Sequence, residues 1–192
     1  MAEPRITGGK ARGIRLQVPK SGTRPATDFL REALFSHLGT RIEGSCLYDF
    51  FSGTGAYGLE GISRGASTLS AFDNDAAANR CLRTNADRLK KAIQANPPIN
   101  IYKENILSGS FSAQATADMI FIDPPYELYT DGLEPFLDIA IRCLKQDGLG
   151  IIAIEHPAEL ETHTESLPLE LKRRLGGKKG TSPALSIFYK NA

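Results

Sequence analysis

Two short segments of this sequence combine residue types that are typical of ligand-binding or catalytic sites. One is a glycine-rich loop at residues 49–58, and the other is the sequence Asp-Pro-Pro-Tyr at residues 123–126. In the first, Gly53, Gly55 and Gly58 have the spacing G-x-G-x-x-G. Such glycines allow a tight turn and a close approach to a ligand, and the amides at the start of a following helix attract acceptor groups. The loop therefore predicts a site for a nucleotide-like molecule.

An acidic residue at the end of the next predicted strand supports this interpretation. Asp73 lies 20 residues after Gly53, which is the separation at which a carboxylate accepts hydrogen bonds from ribose hydroxyls. Dinucleotides and S-adenosylmethionine both use this arrangement. Asp49 favours S-adenosylmethionine, because a carboxylate at the mouth of the first strand suits an ammonium group and would repel a pyrophosphate. Asp75 is expected to act differently, as the N-cap of a helix that begins at Ala76.

The Asp-Pro-Pro-Tyr segment directly follows a predicted strand at residues 119–122. Its two prolines, Pro124 and Pro125, have no backbone N–H, so they offer only carbonyl groups for hydrogen bonding. If the Asp123 carboxylate and the Pro124 carbonyl each accept one hydrogen of an exocyclic amino group, they orient the amine. They also stabilise the positive charge that develops as the amine attacks a methyl carbon. With Tyr126 stacked on the base, the segment predicts methylation of a nucleobase amine.

An alternation of strands and helices must position both segments. Strands are predicted at residues 46–51, 68–72, 99–102, 119–122 and 150–154. Helices are predicted after the glycine loop to about residue 64, over residues 76–95 and over residues 133–144. Two further strand-like runs, 167–175 and 184–189, predict an antiparallel pair at the end of the sheet. Because the strands are unbroken apolar runs, we predict an α/β fold with a Rossmann-like, mostly parallel sheet that is covered on both faces.

A small appendage is predicted to precede this main domain. The appendage comprises residues 1–40 and the main domain residues 41–192. The predicted elements of the appendage are a β-hairpin of residues 5–9 and 14–18, a linker at residues 19–25, and a helix that begins at Thr27 or Asp28 and ends before Gly39.

Basic residues are concentrated in this appendage. Residues 1–31 carry seven basic and two acidic side chains, whereas the whole chain has a net charge of +1. Such a segment suits a phosphate backbone, and a solvated surface explains it equally well on charge alone.

The composition is that of an ordinary globular protein, with 41% hydrophobic and 23% charged residues. The longest apolar stretch, residues 149–154, is far shorter than the roughly 18 residues that a membrane-spanning helix needs. Glu3 and Pro4 stand where a secretory signal would have apolar residues. The three cysteines have spacings that suit neither a disulfide framework nor a zinc site. We therefore predict a cytoplasmic protein with reduced thiols and no bound metal.

Together these residues make the chain resemble the bacterial 16S ribosomal RNA guanine-N2 methyltransferases of the RsmD type, which are class I S-adenosylmethionine-dependent enzymes. The resemblance covers nearly the whole chain, and its opening and closing segments are the family-specific ones. It rests on residues 5–10, 24–28, 31–35, 49–55, 63–66, 123–126 and 184–189.

The resemblance implies S-adenosylmethionine as cofactor and methyl transfer to the N2 amine of a guanine in 16S ribosomal RNA. It also implies a monomer whose partner is this RNA or an assembly intermediate of the small ribosomal subunit. The implied cofactor contacts are Asp49, Ser52, Gly53 and Gly55 for the methionine part, Asp73 for the ribose and Asn105 for the adenine. The implied guanine site is Asp123, Pro124, Pro125 and Tyr126. The implied RNA contacts are Lys10, Arg12, Arg15 and Arg24.

Two other functions remain open. Adenine-N6 and glutamine-amide methyltransferases use a related Asn/Asp-Pro-Pro-Tyr segment, so the amine could belong to another substrate. A non-catalytic RNA-binding assembly factor could also keep this fold, although the intact Asp-Pro-Pro-Tyr segment argues against it.

Overall fold

A seven-stranded sheet with helices packed on both faces forms the centre of the protein in our computed structural model. The structure describes residues 4–19, 28–112, 114–161, 164 and 166–191. The strands are β1 (Cys46–Phe50), β2 (Thr68–Asp73), β3 (Ile99–Lys103), β4 (Met119–Ile122), β5 (Ile151–Pro157), β6 (Leu169–Gly176) and β7 (Pro183–Lys190). The helices are α1 (Asp28–Leu38), α2 (Ala56–Ser63), α3 (Ala76–Ile93) and α4 (Glu134–Cys143), with short 3-10 helices at Gly39–Ile42 and Tyr126–Leu128.

The order of the strands across the sheet is β3-β2-β1-β4-β5-β7-β6. Strands β1 to β5 pair in parallel, and β7 pairs antiparallel with both β5 and β6. This arrangement confirms the predicted Rossmann-like fold with its antiparallel C-terminal pair. The strand order reverses between β1 and β4, which is where such sheets bind ligands. Both chemical segments leave the sheet there, because the glycine-rich loop follows β1 and the Asp-Pro-Pro-Tyr segment follows β4.

Apolar side chains cover both faces of the sheet, as the unbroken apolar strands predict. On β4, Met119 and Phe121 belong to the hydrophobic cluster that includes α1, α2 and α3, whereas Ile120 and Ile122 belong to the cluster that includes α4. This alternation follows from the two-residue period of a strand. The two clusters hold the ends of the strands, and with them the site residues, in fixed positions.

The N-terminal segment forms the predicted antiparallel hairpin, with shorter strands than predicted. In the described residues an antiparallel bridge between Arg5 and Arg15 joins the two predicted strands, and Ile6 exchanges backbone hydrogen bonds of 2.8–2.9 Å with residues 13 and 14. Between them the backbone turns onto the end of α2, where the amides of Lys10 and Ala11 donate to the carbonyl and the hydroxyl of Ser63. These donors are bound to α2, so they are not available to extend a pair of strands.

Other predicted elements agree with the structure to within a few residues. The main difference is at β5, which continues past the predicted end at Ile154 because residues 155–157 pair with β7. Helix α1 ends at Leu38, as predicted. Residues 20–27, which hold most of the predicted linker and the Thr27 alternative for the helix start, lie outside the described residues. None of the described helices is long and apolar enough to cross a membrane.

A buried ion pair joins the predicted appendage to the main domain. Arg31 on α1 and Glu60 on α2 are fully buried, and Arg31 Nε donates to Glu60 Oε2 at 2.9 Å. Arg64 binds the other oxygen of Glu60 at 2.7 Å, Asp28 binds Arg31 at 2.6 Å, and Thr7 donates its amide to Glu60. This network and a shared hydrophobic cluster attach the N-terminal part of the chain firmly. The boundary between appendage and main domain stays a prediction.

We expect Glu60→Gln to lower the free energy of unfolding by about 3–5 kcal/mol, because it removes the charge of a buried carboxylate that pairs with both Arg31 and Arg64. Glu170→Gln is the matched control, since Glu170 pairs with Lys172 on the surface and exposed pairs contribute less than about 1 kcal/mol. Urea unfolding followed by circular dichroism measures both variants. Equal and small losses in the two would contradict a stabilising role for the buried network.

Candidate functional site

A cavity of about 520 Å³ lies where β1, β2, β4 and β5 end. Residues of the glycine-rich loop, of the end of β2, of the Asp-Pro-Pro-Tyr segment and of β5 line it. The carboxyl ends of neighbouring parallel strands meet at one edge of a sheet, which explains why distant segments converge here. The glycine-rich loop and the Asp-Pro-Pro-Tyr segment therefore face the same cavity.

The cavity is acidic. The described residues of its lining include no lysine, arginine or histidine. Its acidic residues are Asp49, Asp73, Asp75, Asp123, Glu127 and Glu155. Carboxylates at this density attract a cation and repel a phosphate. Of the two cofactor classes that the glycine spacing allows, the cavity suits one with cationic centres rather than a dinucleotide.

The start of the glycine-rich loop opens into this cavity. Gly53 has a φ of 52°, and a Cβ there would have only the Phe51 carbonyl oxygen near it, at 3.9 Å. Its neighbour Ser52 also lines the cavity, and the buried Ser52 hydroxyl has no hydrogen-bond partner among the described residues. A buried hydroxyl without a partner costs free energy, so it favours a ligand that supplies one. Both predicted contacts are therefore positioned for a ligand.

The other two glycines allow close packing inside the protein. Gly55, a predicted cofactor contact, does not line the cavity, and a Cβ there would lie 2.1 Å from the side chain of Leu82 on α3. Gly58 is equally enclosed, since a Cβ would lie 2.8 Å from Asp49 Oδ2. The missing side chain of Gly55 thus makes room for α3, and its contact with a cofactor stays a prediction.

Asp49 is buried at the mouth of β1 and lines the cavity, with its Oδ2 accepting the Gly58 amide at 2.9 Å. Burial raises the pKa of Asp49 to about 8, the nearby charge of Asp73 adds to the rise, and the Gly58 amide opposes it. A cation in the cavity would lower this pKa, because an opposite charge stabilises the ionised form. Asp49 is therefore suited to bind an ammonium group.

Asp73 and Asp75 make different contacts. Asp75 is the N-cap of α3, as the sequence predicts. Asp73 lines the cavity, and its two oxygens accept the amides of Gly53 and Asp75, each at 2.8 Å. Burial raises the pKa of Asp73, and these two amides oppose the rise. Asp75 caps α3 by accepting the amides of Ala77 and Ala78. The two amides thus fix the Asp73 carboxylate at the end of β2, where the sequence predicts a ribose.

Asn105 is not brought to the cavity. It is exposed, does not line the cavity, and accepts the Leu107 amide with its Oδ1 at 3.0 Å. The side chain closes a turn after β3, and no helix begins there in the described residues. Its predicted contact with adenine is therefore not supported by its position, because the turn already uses the side-chain oxygen.

The Asp-Pro-Pro-Tyr segment forms the part of the cavity wall that follows β4. All four residues line the cavity, so the Asp123 carboxylate and Gly53 share one cleft. The Asp123 amide donates to the Phe50 carbonyl at 3.3 Å, which keeps the segment beside β1. The Pro125 carbonyl accepts the Leu128 amide at 3.0 Å, so the turn uses that carbonyl. Tyr126 is half-buried beside the cavity, and its ring meets that of Tyr129 edge to face at 6.4 Å.

Two further residues of the cavity were not predicted. Glu155 on β5 is buried, and its Oε2 accepts the hydroxyl of Tyr57 on α2 at 2.8 Å. Both line the cavity. A signal for Glu155 is present in the sequence, because it directly follows the apolar run at residues 150–154, just as Asp123 follows β4. The predicted strand ended one residue before it, so this position at the cavity was missed.

Three of the predicted RNA contacts lie on the surface of the N-terminal segment. Lys10, Arg12 and Arg15 are exposed on a segment whose Val18 lines the cavity. The buried Asn85 side chain ties this segment to the glycine-rich loop, since it accepts an amide from the segment at 2.8 Å and donates to a loop carbonyl at 3.0 Å. The end of this segment is thus held at the cavity, whereas the amide of Lys10 binds the carbonyl of Ser63 at the C-terminal end of α2. The fourth contact, Arg24, lies outside the described residues.

Comparisons with known proteins agree on one family. The family model for conserved hypothetical protein 95 matches residues 4–182. Ribosomal RNA small subunit methyltransferase D of Escherichia coli is 38% identical over 125 residues, which is 64% of this chain and 60% of that protein. The "Putative rRNA methyltransferase YlbH" of Bacillus subtilis is 30% identical over 82% of this chain and 84% of its own length.

Solved structures show the same architecture. The structure titled "Putative methyltransferase yhhF from Escherichia coli" has a TM-score of 0.79 and 28% identity, and the match covers 100% of this chain and 99% of that one. A hypothetical protein of Thermus thermophilus matches with a TM-score of 0.70 and 28% identity, over 95% of this chain and 97% of that one.

The raised pKa of Asp49 predicts a pH dependence of stability. The folded state keeps a proton on Asp49 that the unfolded state releases above its ordinary pKa of 3.8. The free energy of unfolding therefore falls as the pH rises from about 4 to about 8, by up to about 1.4 kcal/mol per pH unit, and then levels off. Asp49→Asn removes this slope. The free energy of unfolding of the variant, measured with urea, therefore increases relative to that of the wild type as the pH rises. Asp131→Asn, at an exposed position, should keep the wild-type slope, and parallel profiles for all three proteins would exclude the raised pKa.

Proposed function

The chain belongs to the conserved hypothetical protein 95 family, and on this premise we propose that it is an S-adenosylmethionine-dependent methyltransferase acting on the N2 amine of a guanine in 16S ribosomal RNA. The RsmD-type assignment made from the sequence is confirmed by the relatives from E. coli and B. subtilis. One observation carries the proposed reaction: the glycine-rich loop and the Asp-Pro-Pro-Tyr segment line a single acidic cavity.

The cavity fits the charges of the proposed cofactor. S-adenosylmethionine carries an ammonium group and a sulfonium centre, and it supplies an activated methyl group. Asp49 would bind the ammonium group, because an adjacent positive charge stabilises the ionised form of its buried carboxylate. Asp73 would accept the ribose hydroxyls, and the Ser52 hydroxyl would find its missing partner on the ligand. The open space at Gly53 leaves room for the ligand beside the loop.

The Asp-Pro-Pro-Tyr segment would hold the amine that receives the methyl group. The Asp123 carboxylate and the Pro124 carbonyl accept one amine hydrogen each, and Tyr126 stacks on the base. Orientation of the amine toward the methyl carbon contributes on the order of 7–11 kcal/mol to catalysis. A strong general base is unnecessary, because a methylated aromatic amine is acidic enough to lose its proton after the transfer.

The basic surface of the N-terminal segment suits the RNA backbone. The exposed side chains of Lys10, Arg12 and Arg15 would bind phosphates and bring a flipped guanine to the cavity. We expect a monomer that acts in the cytoplasm on 16S ribosomal RNA or on an assembly intermediate of the small ribosomal subunit.

Gly53→Arg is expected to abolish S-adenosylmethionine binding, because the new side chain fills the cavity. Gly44→Arg is the matched control. Gly44 also has a positive φ, 73° against 52° for Gly53, has no atom within 4 Å of its Cβ position, and lies outside the cavity lining. Isothermal titration calorimetry should give saturable binding for the wild type and Gly44→Arg, and none for Gly53→Arg. Wild-type affinity in Gly53→Arg would exclude this cavity as the cofactor site.

The proposed reaction is tested by incubating the protein with radiolabelled S-adenosylmethionine and, separately, 16S ribosomal RNA, small ribosomal subunits, DNA or protein. We expect label in the RNA or the subunits, on guanine N2 by mass spectrometry. Asp123→Ala should lose at least roughly 100-fold in turnover, the range seen when one group that stabilises developing charge is removed. It should keep its affinity for S-adenosylmethionine, and Asp131→Ala should behave as the wild type.

Other outcomes distinguish the alternatives. Label on adenine N6 or on a glutamine side chain would replace the proposed substrate with one of the related amines. RNA binding with no label in any substrate would favour the assembly factor. Full turnover by Asp123→Ala would contradict the role given to its carboxylate.

A further inference from the structure

We propose that Glu155 determines specificity for guanine, by accepting a hydrogen bond from the N1–H group that adjoins the methylated N2 amine. This inference rests on the proposed function and assigns a role to a residue that the Asp-Pro-Pro-Tyr segment does not contain. It follows from the position of Glu155, from the contacts that hold its side chain, and from the chemistry of the bases.

The sheet places Glu155 beside Asp123. Strands β4 and β5 are parallel neighbours, and Ile122 on β4 pairs with Ile154 on β5. The next residues along the two strands are Asp123 and Glu155, and both line the cavity. An amine held by Asp123 and the Pro124 carbonyl therefore has a second carboxylate on one side of it.

Two tyrosines hold Glu155 in this position. The Tyr57 hydroxyl donates to Glu155 Oε2 at 2.8 Å, and the Tyr129 hydroxyl donates to the Glu155 backbone carbonyl. Burial raises the pKa of both tyrosines, and the charges of Glu155 and Asp123 raise both further. Both carboxylates thus act on the same two hydroxyls, in agreement with their neighbouring positions. The carboxylate of Glu155 is held in place before a base arrives, as a specificity group must be.

The group next to the amine differs between the possible substrates. In guanine the N2 amine adjoins N1–H, which is a donor. In adenine the N6 amine adjoins the N1 lone pair, in cytosine the N4 amine adjoins the N3 lone pair, and in glutamine the amide nitrogen adjoins a carbonyl oxygen. An ionised carboxylate only accepts hydrogen bonds, so in its ionised form Glu155 attracts guanine and repels the other three. Sites that bind a substrate N–H group discriminate strongly against analogues without it.

The test uses a 16S ribosomal RNA fragment whose methylated guanine has first been located by mass spectrometry. In a second fragment, 2-aminopurine replaces that guanine; it keeps the 2-amine but has a lone pair at N1. We expect the wild type to prefer guanine by at least about 100-fold in kcat/KM. In Glu155→Gln the Tyr57 hydroxyl keeps the side-chain oxygen as its acceptor, so the NH2 group takes the other position and donates to the lone pair. The ratio of kcat/KM for the guanine fragment to that for the 2-aminopurine fragment should therefore fall by at least about tenfold in Glu155→Gln.

Glu159→Gln is the matched control, because Glu159 is exposed on the turn after β5 and lies outside the cavity lining. It should keep the wild-type preference and the wild-type affinity for S-adenosylmethionine. An unchanged preference in Glu155→Gln would overturn the inference and leave the proposed function intact. Equal use of both fragments by the wild type would overturn it without any variant. Absence of methyl transfer to the guanine fragment would overturn both.

Discussion

One electrostatic constraint governs this structure: six carboxyl groups line one cavity, and two of them, Asp49 and Glu155, are buried. Asp49 on β1, Asp123 after β4 and Glu155 on β5 line the cavity, and its described lining offers them no basic side chain. Burial of an ionised carboxylate opposes folding, and it raises the pKa of Asp49 to about 8. The hydrophobic clusters on both faces of the sheet offset this cost. A cationic ligand relieves it, so the burial that opposes folding favours binding.

The same constraint explains how the glycine-rich loop is built. Gly58 has no side chain, so its amide can reach the buried Asp49 carboxylate. Gly55 lets α3 pack against the start of α2. Gly53 alone of the three faces the cavity, where its amide also binds Asp73. A spacing that is usually discussed as a ligand-binding pattern thus serves internal packing at two of its three positions.

The N-terminal segment links the predicted RNA surface to the cofactor side of the cavity. Glu60 anchors the start of the segment through Thr7, and Asn85 anchors its end through Gln17 while also binding the carbonyl of Thr54 in the glycine-rich loop. The exposed basic residues lie between these two anchors. Their positions are therefore coupled to the loop by buried hydrogen bonds, which gives a physical basis for presenting a base to the cavity once RNA is bound.

The sequence by itself determined the features that depend on neighbours along the chain. Strand and helix periodicity predicted the parallel sheet, Asp75 was recognised as a helix cap, and the positions of Asp49 and Asp123 after apolar runs were sufficient to place them at the strand ends. The tertiary structure placed Glu155 at the cavity, set Gly55 against α3 and Asn105 in a turn outside the cavity lining, and bound the turn of the N-terminal hairpin to α2. These outcomes depend on partners far away in the sequence, such as Leu82 against Gly55 and Tyr57 against Glu155. Local patterns carry no information about such contacts, because packing between distant elements selects them.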